Sequence, residues 1–157
     1  MGEASVSSGW SPAWITIGGA VTYSFTPDTI TVAPSEVASP ATFIGFSGVT
    51  SWGGRDTRMP FHVTSGDWQE SDRLLAAIIS AVAAPTRAIP VGGFGEFDGV
   101  MTGAFNAPRV EGRFSGDRMR AWNVTWGRIT GDVTIVNAYA ELERGRVTRG
   151  GATMDIQ

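Results

Sequence analysis

Apolar and polar residues alternate along the second half of the chain, and this alternation is typical of β-strands that are buried on one side. It is clearest in four segments: "RVEGRF" (109–114), "WNVTW" (122–126), "RITGDVTI" (128–135) and "ATMDI" (152–156). Turn-forming residues separate them: Ser115-Gly116-Asp117, Asn137-Ala138, Arg144-Gly145 and Gly150-Gly151. The pattern predicts a continuous antiparallel meander over residues 97–157, with one apolar and one wet face.

The alternation also assigns side chains to the two faces of this sheet. The apolar face is predicted to carry Val110, Phe114, Trp122, Val124, Trp126, Val133 and Ile135. The opposite face is predicted to carry Arg109, Arg113, Arg128 and Asp132. Val124, in the middle of "WNVTW", is the predicted centre of the apolar face.

The glycine-rich stretch "GGFGEFDGVMTGAFNAPRVEGRFSG" (92–116) places large apolar residues between its glycines. A flexible linker does not need aromatic residues at such intervals, so we interpret the stretch as a hairpin with one apolar face. The predicted turn is Asn106-Ala107-Pro108, because Pro108 lacks the N–H that a strand ladder uses.

The first sixty residues show the same pattern less regularly. Strands are predicted at "VTYSF", "TITVA", "ATFIGFSGVTSW" and "MPFHVTS". The connections are predicted at Pro27-Asp28, over residues 34–40, and at residues 53–56. In this division residues 1–19 are a lead-in, 20–64 the first strands, 65–84 a helix and 85–157 the second set of strands.

One helix is predicted, capped by Ser65 or Asp67 and ended by Pro85. Its apolar stripe consists of Leu75, Ile78, Ile79 and Val82, at i, i+3, i+4 and i+7. A stripe of this length spans about 16 Å at about 1.5 Å per residue. About a dozen strands at about 4.8 Å spacing would be roughly 58 Å wide, so the helix cannot cover the whole apolar face. The remaining face must form a sandwich or a trough.

Composition and charge exclude several functional classes. The chain has 157 residues and a net charge of −3, and its 12 basic residues are all arginines scattered among 15 acids. The absence of a basic patch argues against nucleic acid as a partner. The chain has no cysteine, so disulfides and thiolate chemistry are excluded. The N-terminal residues do not resemble a signal peptide, and the apolar run over residues 74–84 is too short to span a bilayer.

Candidate catalytic and ligand-binding groups are few, and no cofactor, metal site or enzymatic activity is predicted. His62 is the single histidine and lies within a predicted strand, where a hydrogen-bonded structural role is more common than catalysis. "GGFGEFDG" contains a loose glycine motif but precedes a strand, so the dinucleotide-loop mechanism fails. Asp67, Glu70 and Asp72 could be read as a metal cluster, yet a helix start accounts for them.

The segment "GAFNAPRVEG", with Gly103, Pro108, Val110 and Gly112, resembles the recurrent hairpin of TamB-type translocation and assembly module proteins, in the AsmA-like group. The run from "MPFHVTSGDWQESDRLLAAIISAV" through "MRAWNVTWGRITGDVTI" resembles an interior segment of such a protein. The resemblance covers most of residues 20–157. The N-terminal membrane helix and the C-terminal barrel-contacting module of that family do not appear in this sequence.

The resemblance implies a periplasmic β-groove with an apolar interior, part of an inner-membrane-anchored envelope protein. Its partners would be phospholipid acyl chains and, through regions outside this chain, the membrane and an outer-membrane assembly barrel. The implied functions are outer-membrane protein assembly and phospholipid transport between membranes. The lipid-facing candidates are Phe97, Met101, Phe105, Val110, Phe114, Trp122, Val124, Trp126, Val133 and Ile135.

Two other readings of the residues stay open. The apolar stripe could be a closed core that only packs, because aromatic stripes usually are core. Alternatively, the chain could be an extracellular or envelope β-sandwich that binds sugars or adheres. In that reading Trp10, Trp14, Trp52 and Trp68 would form a stacking platform.

Overall fold

The computed structural model describes residues 2–6, 17–51, 54–74, 91–104, 107–136 and 139–157. These residues form ten strands and one helix, α1, over residues 68–74. The strands are β1 (Gly2–Val6), β2 (Gly18–Phe25), β3 (Thr29–Ala38), β4 (Thr42–Ser51), β5 (Arg58–Ser65), β6 (Val91–Ala104), β7 (Ala107–Ala121), β8 (Val124–Val136), β9 (Tyr139–Arg149) and β10 (Ala152–Ile156).

All ten strands belong to one antiparallel sheet, in the order in which they occur along the chain. Every strand pairs with its sequence neighbours, from β1 with β2 to β9 with β10. The predicted antiparallel meander is therefore confirmed, as is the single helix among the described residues, which lies between β5 and β6. The molecule is an open, twisted trough.

The strands of the second half are longer than the predicted ones, because two predicted turns lie inside strands. Ser115-Gly116-Asp117 falls within β7, and Arg144-Gly145 falls within β9. Both coincide with β-bulges, seen as register shifts after Gly116 and after Thr130 of the neighbouring strand. A bulge accommodates an extra residue in an unusual conformation without reversing the chain, and Arg144 has φ 47°. These two turn predictions were wrong.

The β7–β8 turn instead consists of Trp122 and Asn123, which the sequence analysis placed in a strand. Their φ angles are 51° and 62°. Positive φ at both central residues is the type I′ geometry that matches the twist of a two-residue hairpin. Asparagine is common at positive φ. Tryptophan is not, so the sequence does not indicate that Trp122 lies in a turn. The strand prediction for "WNVTW" was therefore wrong at these two residues, and β8 begins at Val124.

Two prolines also lie in strands where loops or turns were predicted. Pro34 lies within β3, at the register shift between Val32 and Ser35, so most of the predicted 34–40 loop is strand. Pro108 is the second residue of β7 and pairs with Gly103. Bulges and strand beginnings are the places where a sheet tolerates a residue without an N–H donor. The β6–β7 connection lies at residues 105 and 106, outside the described residues.

The predicted turns at Pro27-Asp28 and Gly150-Gly151 are confirmed. Residues 2–6 form β1, within the part of the chain that the sequence analysis treated as a lead-in. The Asn137-Ala138 turn lies outside the described residues, although Val136 and Tyr139 pair on either side of it.

The helix starts as predicted from its acidic residues. Asp67 caps it, accepting a hydrogen bond from Gln69 N–H at 3.0 Å through its side chain. Glu70 does more than favour the helix dipole: its Oε1 accepts from Ser39 Oγ at 2.5 Å and from Ala41 N–H at 3.0 Å. These bonds attach α1 to the β3–β4 connection. The predicted stripe of Leu75, Ile78, Ile79 and Val82, and the stop at Pro85, lie outside the described residues.

The core lies between α1 and one face of the sheet, which we call the inner face. It contains Ile44, Val63, Trp68, Leu74, Phe97 and Met119. Val63 and Leu74 are each only 1% exposed. Under the helix, the Ser71 hydroxyl lies 2.7 Å from that of Thr42 and 2.6 Å from that of Ser65, so these buried polar groups satisfy one another.

Candidate functional site

The inner face is built from cross-strand rows of apolar residues, with glycines at some positions. Val63 pairs with Phe97, and Phe97 pairs with Phe114. Opposite Phe114 on β8 stands Gly131, so the large ring of β7 meets a small residue. Directly opposed residues on an antiparallel pair project to the same face. The Trp68 and Phe114 rings lie 5.3 Å apart, which connects α1 to these rows.

The structure brings most of the predicted lipid-facing residues onto this one face. Phe97, Met101, Val110, Phe114, Val133 and Ile135 follow one another through the pairing of β6, β7 and β8, and Trp126 packs against the core. Phe105 lies outside the described residues. Trp122 is in the turn and 70% exposed, and Val124 next to it is 44% exposed. The centre of the apolar face is therefore not at Val124, as predicted, but further along β8.

An open apolar cleft of about 420 Å³ lies on the inner face between α1 and strands β7–β10. Its lining includes three tryptophans, Trp68, Trp122 and Trp126, and aliphatic side chains from each of those strands. The larger aliphatic lining residues that were not candidates from sequence are Val91 of β6, Ile129, Leu142, Val147 and Ile156. Its volume lies in the range of roughly 300–1,000 Å³ that small-molecule sites occupy.

The alternation of apolar and polar residues predicts some of these additional lining residues but not all of them. Ile129 follows the regular alternation of β8. Leu142 and Val147 both face inward, but the bulge at residues 143–145 shifts the alternation between them. A two-residue period therefore cannot assign both residues to one face.

Two indole N–H groups in the cleft wall have no hydrogen-bond partner among the described residues. They belong to Trp68, which is 8% exposed, and to Trp126. A buried donor without an acceptor costs about 1–3 kcal/mol. Asp72 Oδ2, a third buried atom of the cleft lining, also has no hydrogen-bond partner among the described residues.

The outer face carries the charges, as the alternation predicts. Asp132 is paired with Arg113 at 3.6 Å and with Arg144 at 2.7 Å, and Arg128 is paired with Asp117 at 3.1 Å. These groups are mostly solvent-exposed, so each pair contributes little to stability. Arginines and acids alternate here, which leaves this face without a basic stripe among these residues.

His62 also lies on the outer face, in a hydrogen-bonded chain that resembles a catalytic relay. Its Nδ1 is 2.6 Å from Asp98 Oδ1, and its Nε2 is 3.0 Å from Thr64 Oγ1. Acyl transfer also needs N–H donors aimed at a developing oxyanion. The strand that carries His62 is paired on both sides, with β4 and β6, so its backbone donors are used in the ladders. We assign this chain of hydrogen bonds a role in cross-strand pairing.

Trp68 cannot belong to the predicted sugar-stacking platform. Trp68 is packed into the core against Phe114, so its ring face is not available for stacking. Trp10, Trp14 and Trp52 lie outside the described residues. The described strands form a single sheet, whereas a β-sandwich needs two.

Within the described residues, no three acidic or histidine side chains are grouped so that they could hold a metal ion. Asp67 and Glu70 instead have the capping and bridging roles given above. Of the residues that the structure describes, none belongs to a helix with the length and apolar character needed to cross a bilayer. No protein-family model, curated protein or solved structure matches the chain. The geometry of the inner face therefore carries the functional assignment.

Proposed function

We propose that this chain is part of a non-enzymatic scaffold whose inner face holds lipid acyl chains. The observation that supports this proposal is the open apolar cleft between α1 and β7–β10, lined by aromatic and aliphatic side chains. A closed core would bury these residues, yet Trp126, Ile129, Val133 and Leu142 are only half-buried.

Burial of apolar area explains why an acyl chain suits this cleft. Apolar surface removed from water stabilises a complex by about 25 cal/mol per Å². The cleft lies on β7–β10 with Val91 of β6 at its side, and β6 to β10 correspond to about 19 Å across four strand spacings of about 4.8 Å. An elongated, unbranched ligand lying across the strands uses this shape better than a compact ring does.

The resemblance to TamB-type and AsmA-like proteins extends the proposal to the cell envelope. In that setting the trough belongs to a periplasmic part of an inner-membrane-anchored protein. It conducts phospholipid between the inner and outer membranes or supports outer-membrane protein assembly together with a barrel. The open trough described above is compatible with such a role because its apolar face continues across neighbouring strands.

The direct test is to purify the full chain from a bacterial host, extract it with organic solvent and analyse the extract by mass spectrometry. We expect phospholipid in stoichiometric amounts. Absence of lipid from a folded, monodisperse preparation would contradict the proposal.

A matched pair of variants places any bound lipid on the inner face. Ile129→Asp puts a carboxylate into the cleft, where water can still reach it, so we expect the fold to survive and the lipid to be lost. Thr130→Asp puts the same charge one residue along, on the outer face opposite Arg146, and should change neither. Circular dichroism reports the fold of both variants. Equal lipid recovery from the two would assign the lipid to another surface.

A further inference from the structure

The lining of the apolar cleft includes an arginine, Arg120, that has no carboxylate partner among the described residues. Arg120 lies near the end of β7 and lines the apolar cleft together with two polar hollows beside it. Gln69 and Thr125 line both of these hollows, and Asn123 lines one of them. Arg120 therefore lies where the apolar wall of the cleft adjoins the hydrogen-bonding groups of the two hollows.

The absence of a partner distinguishes Arg120 from most arginines of β7–β9. Carboxylates pair with Arg109, Arg113, Arg128, Arg144 and Arg146. No ion pair joins Arg120 to a carboxylate of the described residues. A guanidinium presents a planar set of donors that matches the oxygen atoms of a phosphate or carboxylate.

The backbone opposite Arg120 leaves room for its side chain. Its partner on β6 is Gly92. A Cβ atom at that glycine would lie 3.4 Å from both Nε and Nη2 of the guanidinium, so the arginine lies against bare backbone at this point. Gly92 lines both hollows, so this approach places the guanidinium at the hollows that adjoin the cleft.

The nearby acids are engaged elsewhere. Asp117 is paired with Arg128, and its Oδ1 accepts from Arg118 N–H at 2.7 Å. Asp67 caps the helix. Asp72, which lines the cleft, has an interaction of its own, although its buried Oδ2 has no hydrogen-bond partner among the described residues. Arg118 adds a second positive charge to one of the polar hollows, with its guanidinium 4.8 Å from the centre of the Phe94 ring.

We propose that the cleft binds a lipid whose head carries a net negative charge, with the acyl chain on the apolar wall and the head oxyanion on Arg120. This inference rests on the proposed function and adds the class of head group. The occupant is an acyl lipid and not a free anion, because Arg120 is shared between the apolar cleft and the two hollows.

The experiment compares two amphiphiles with the same chain, dodecyl phosphate and uncharged dodecyl maltoside, below their micelle concentrations. Binding to the full chain is followed by tryptophan fluorescence, since Trp68 and Trp126 line the cleft. We expect about tenfold tighter binding of dodecyl phosphate, the scale of one charge-assisted hydrogen-bonded contact. Arg120→Gln should weaken dodecyl phosphate binding about tenfold and so remove this preference, and Arg120→Lys should retain part of it.

Arg149→Gln is the matched control, because Arg149 is exposed on β9 and does not line the cleft. It should bind both amphiphiles as the wild type does. A preference that survives Arg120→Gln, or is equally lost in Arg149→Gln, would overturn the head-group assignment. Competition by inorganic phosphate at the same concentration would also overturn it, by assigning the site to a free anion.

The outcomes separate this inference from the proposed function. If the wild type binds both amphiphiles equally, the apolar cleft remains a lipid site and only the head-group assignment fails. If it binds neither amphiphile, the proposed function fails and this inference fails with it.

Discussion

The inner face has two parts that differ in what lies on them. In the covered part, made by β4–β6 beneath α1, Ile44, Val63 and Phe97 are buried against Trp68 and Leu74. In the open part, made by β8–β10, Ile129, Val133 and Leu142 line a cleft and are only partly buried. The same alternation of apolar and polar residues produces both parts. The apolar pattern of a strand therefore does not distinguish a core face from a binding face. The difference depends on whether another element, here α1, packs on that face.

The polar groups of the two parts also differ. The covered part contains the hydroxyl cluster of Thr42, Ser65 and Ser71, in which each member finds a partner. The open part contains the indole N–H groups of Trp68 and Trp126 at its border, which have none among the described residues. Buried polar groups are normally hydrogen-bonded, as in the hydroxyl cluster, so the unsatisfied atoms distinguish the cleft from the covered part.

The largest expected effect is loss of packing in the covered part. Leu74→Ala removes a side chain that is 1% exposed, and we expect a loss of about 2–4 kcal/mol in the free energy of unfolding. Leu142→Ala in the open part should lose about 1 kcal/mol or less, because water already reaches that side chain. Urea denaturation of both variants measures the difference. Equal losses would mean that the two parts are equally closed.

The second prediction concerns the bulge that positions Trp126 in the open part. Gly127 has φ 87°, and a Cβ atom there would lie 2.4 Å from Thr148 O. Gly127→Ala should destabilise the chain by about 1–3 kcal/mol and weaken amphiphile binding, because the strand must shift. Gly45→Ala is the control, since its Cβ would meet nothing closer than 3.5 Å. The urea concentrations at the unfolding midpoints of Gly127→Ala and Gly45→Ala are compared. Equal midpoints would refute the role of the bulge.

The third prediction tests the hydroxyl cluster of the covered part. Ser71→Ala removes a fully buried hydroxyl and leaves those of Thr42 and Ser65 without this partner. We expect a loss of about 1–2 kcal/mol in unfolding free energy, with lipid binding unchanged. Thermal unfolding measures the change in stability, and the amphiphile titration measures lipid binding. Weakened lipid binding in a folded Ser71→Ala variant would show that the two parts are coupled.

The smallest effect is expected at the β9–β10 edge of the open part. The hydrogen bond from Arg146 to Asp155, at 2.8 Å, and their charge attraction lower the pKa of Asp155 and raise the pKa of Arg146. The lowered carboxyl pKa contributes stability above the ordinary aspartate value, about 3.9, that is lost as the pH falls through the folded-state pKa. Arg146→Gln should move the pKa of Asp155 back up, measured by NMR titration. An unchanged titration would show that the pair does not form in solution.

The sequence predicts the sheet well, because alternation and neighbour pairing are local properties. Phe114 and Arg113 lie on opposite faces as their positions require, and Gly150-Gly151 forms the turn its composition favours. The errors arise where bulges accommodate turn-forming residues, as at Gly116 and Arg144, or where a bulky residue occupies a turn, as at Trp122. These outcomes depend on the register of the neighbouring strand, which a single segment does not contain.

The site is less predictable than the sheet for a related reason. Phe97 and Ile129 occupy similar positions in similar alternating strands, but α1 packs over the first and leaves the second in the cleft wall. Arg120 resembles any other arginine in the sequence. Its lack of a partner becomes visible only when the pairings of the other arginines are known.

The neighbour-to-neighbour order of the strands has a consequence for how the chain folds. Neighbouring strands are joined by short connections, except that residues 7–17 join β1 to β2 and the segment that carries α1 joins β5 to β6. Contacts between residues close in sequence require little loop closure, which favours fast folding compared with other all-β topologies. Each new hairpin can add to the strands already formed, so the sheet can assemble in the direction of synthesis, one strand after another.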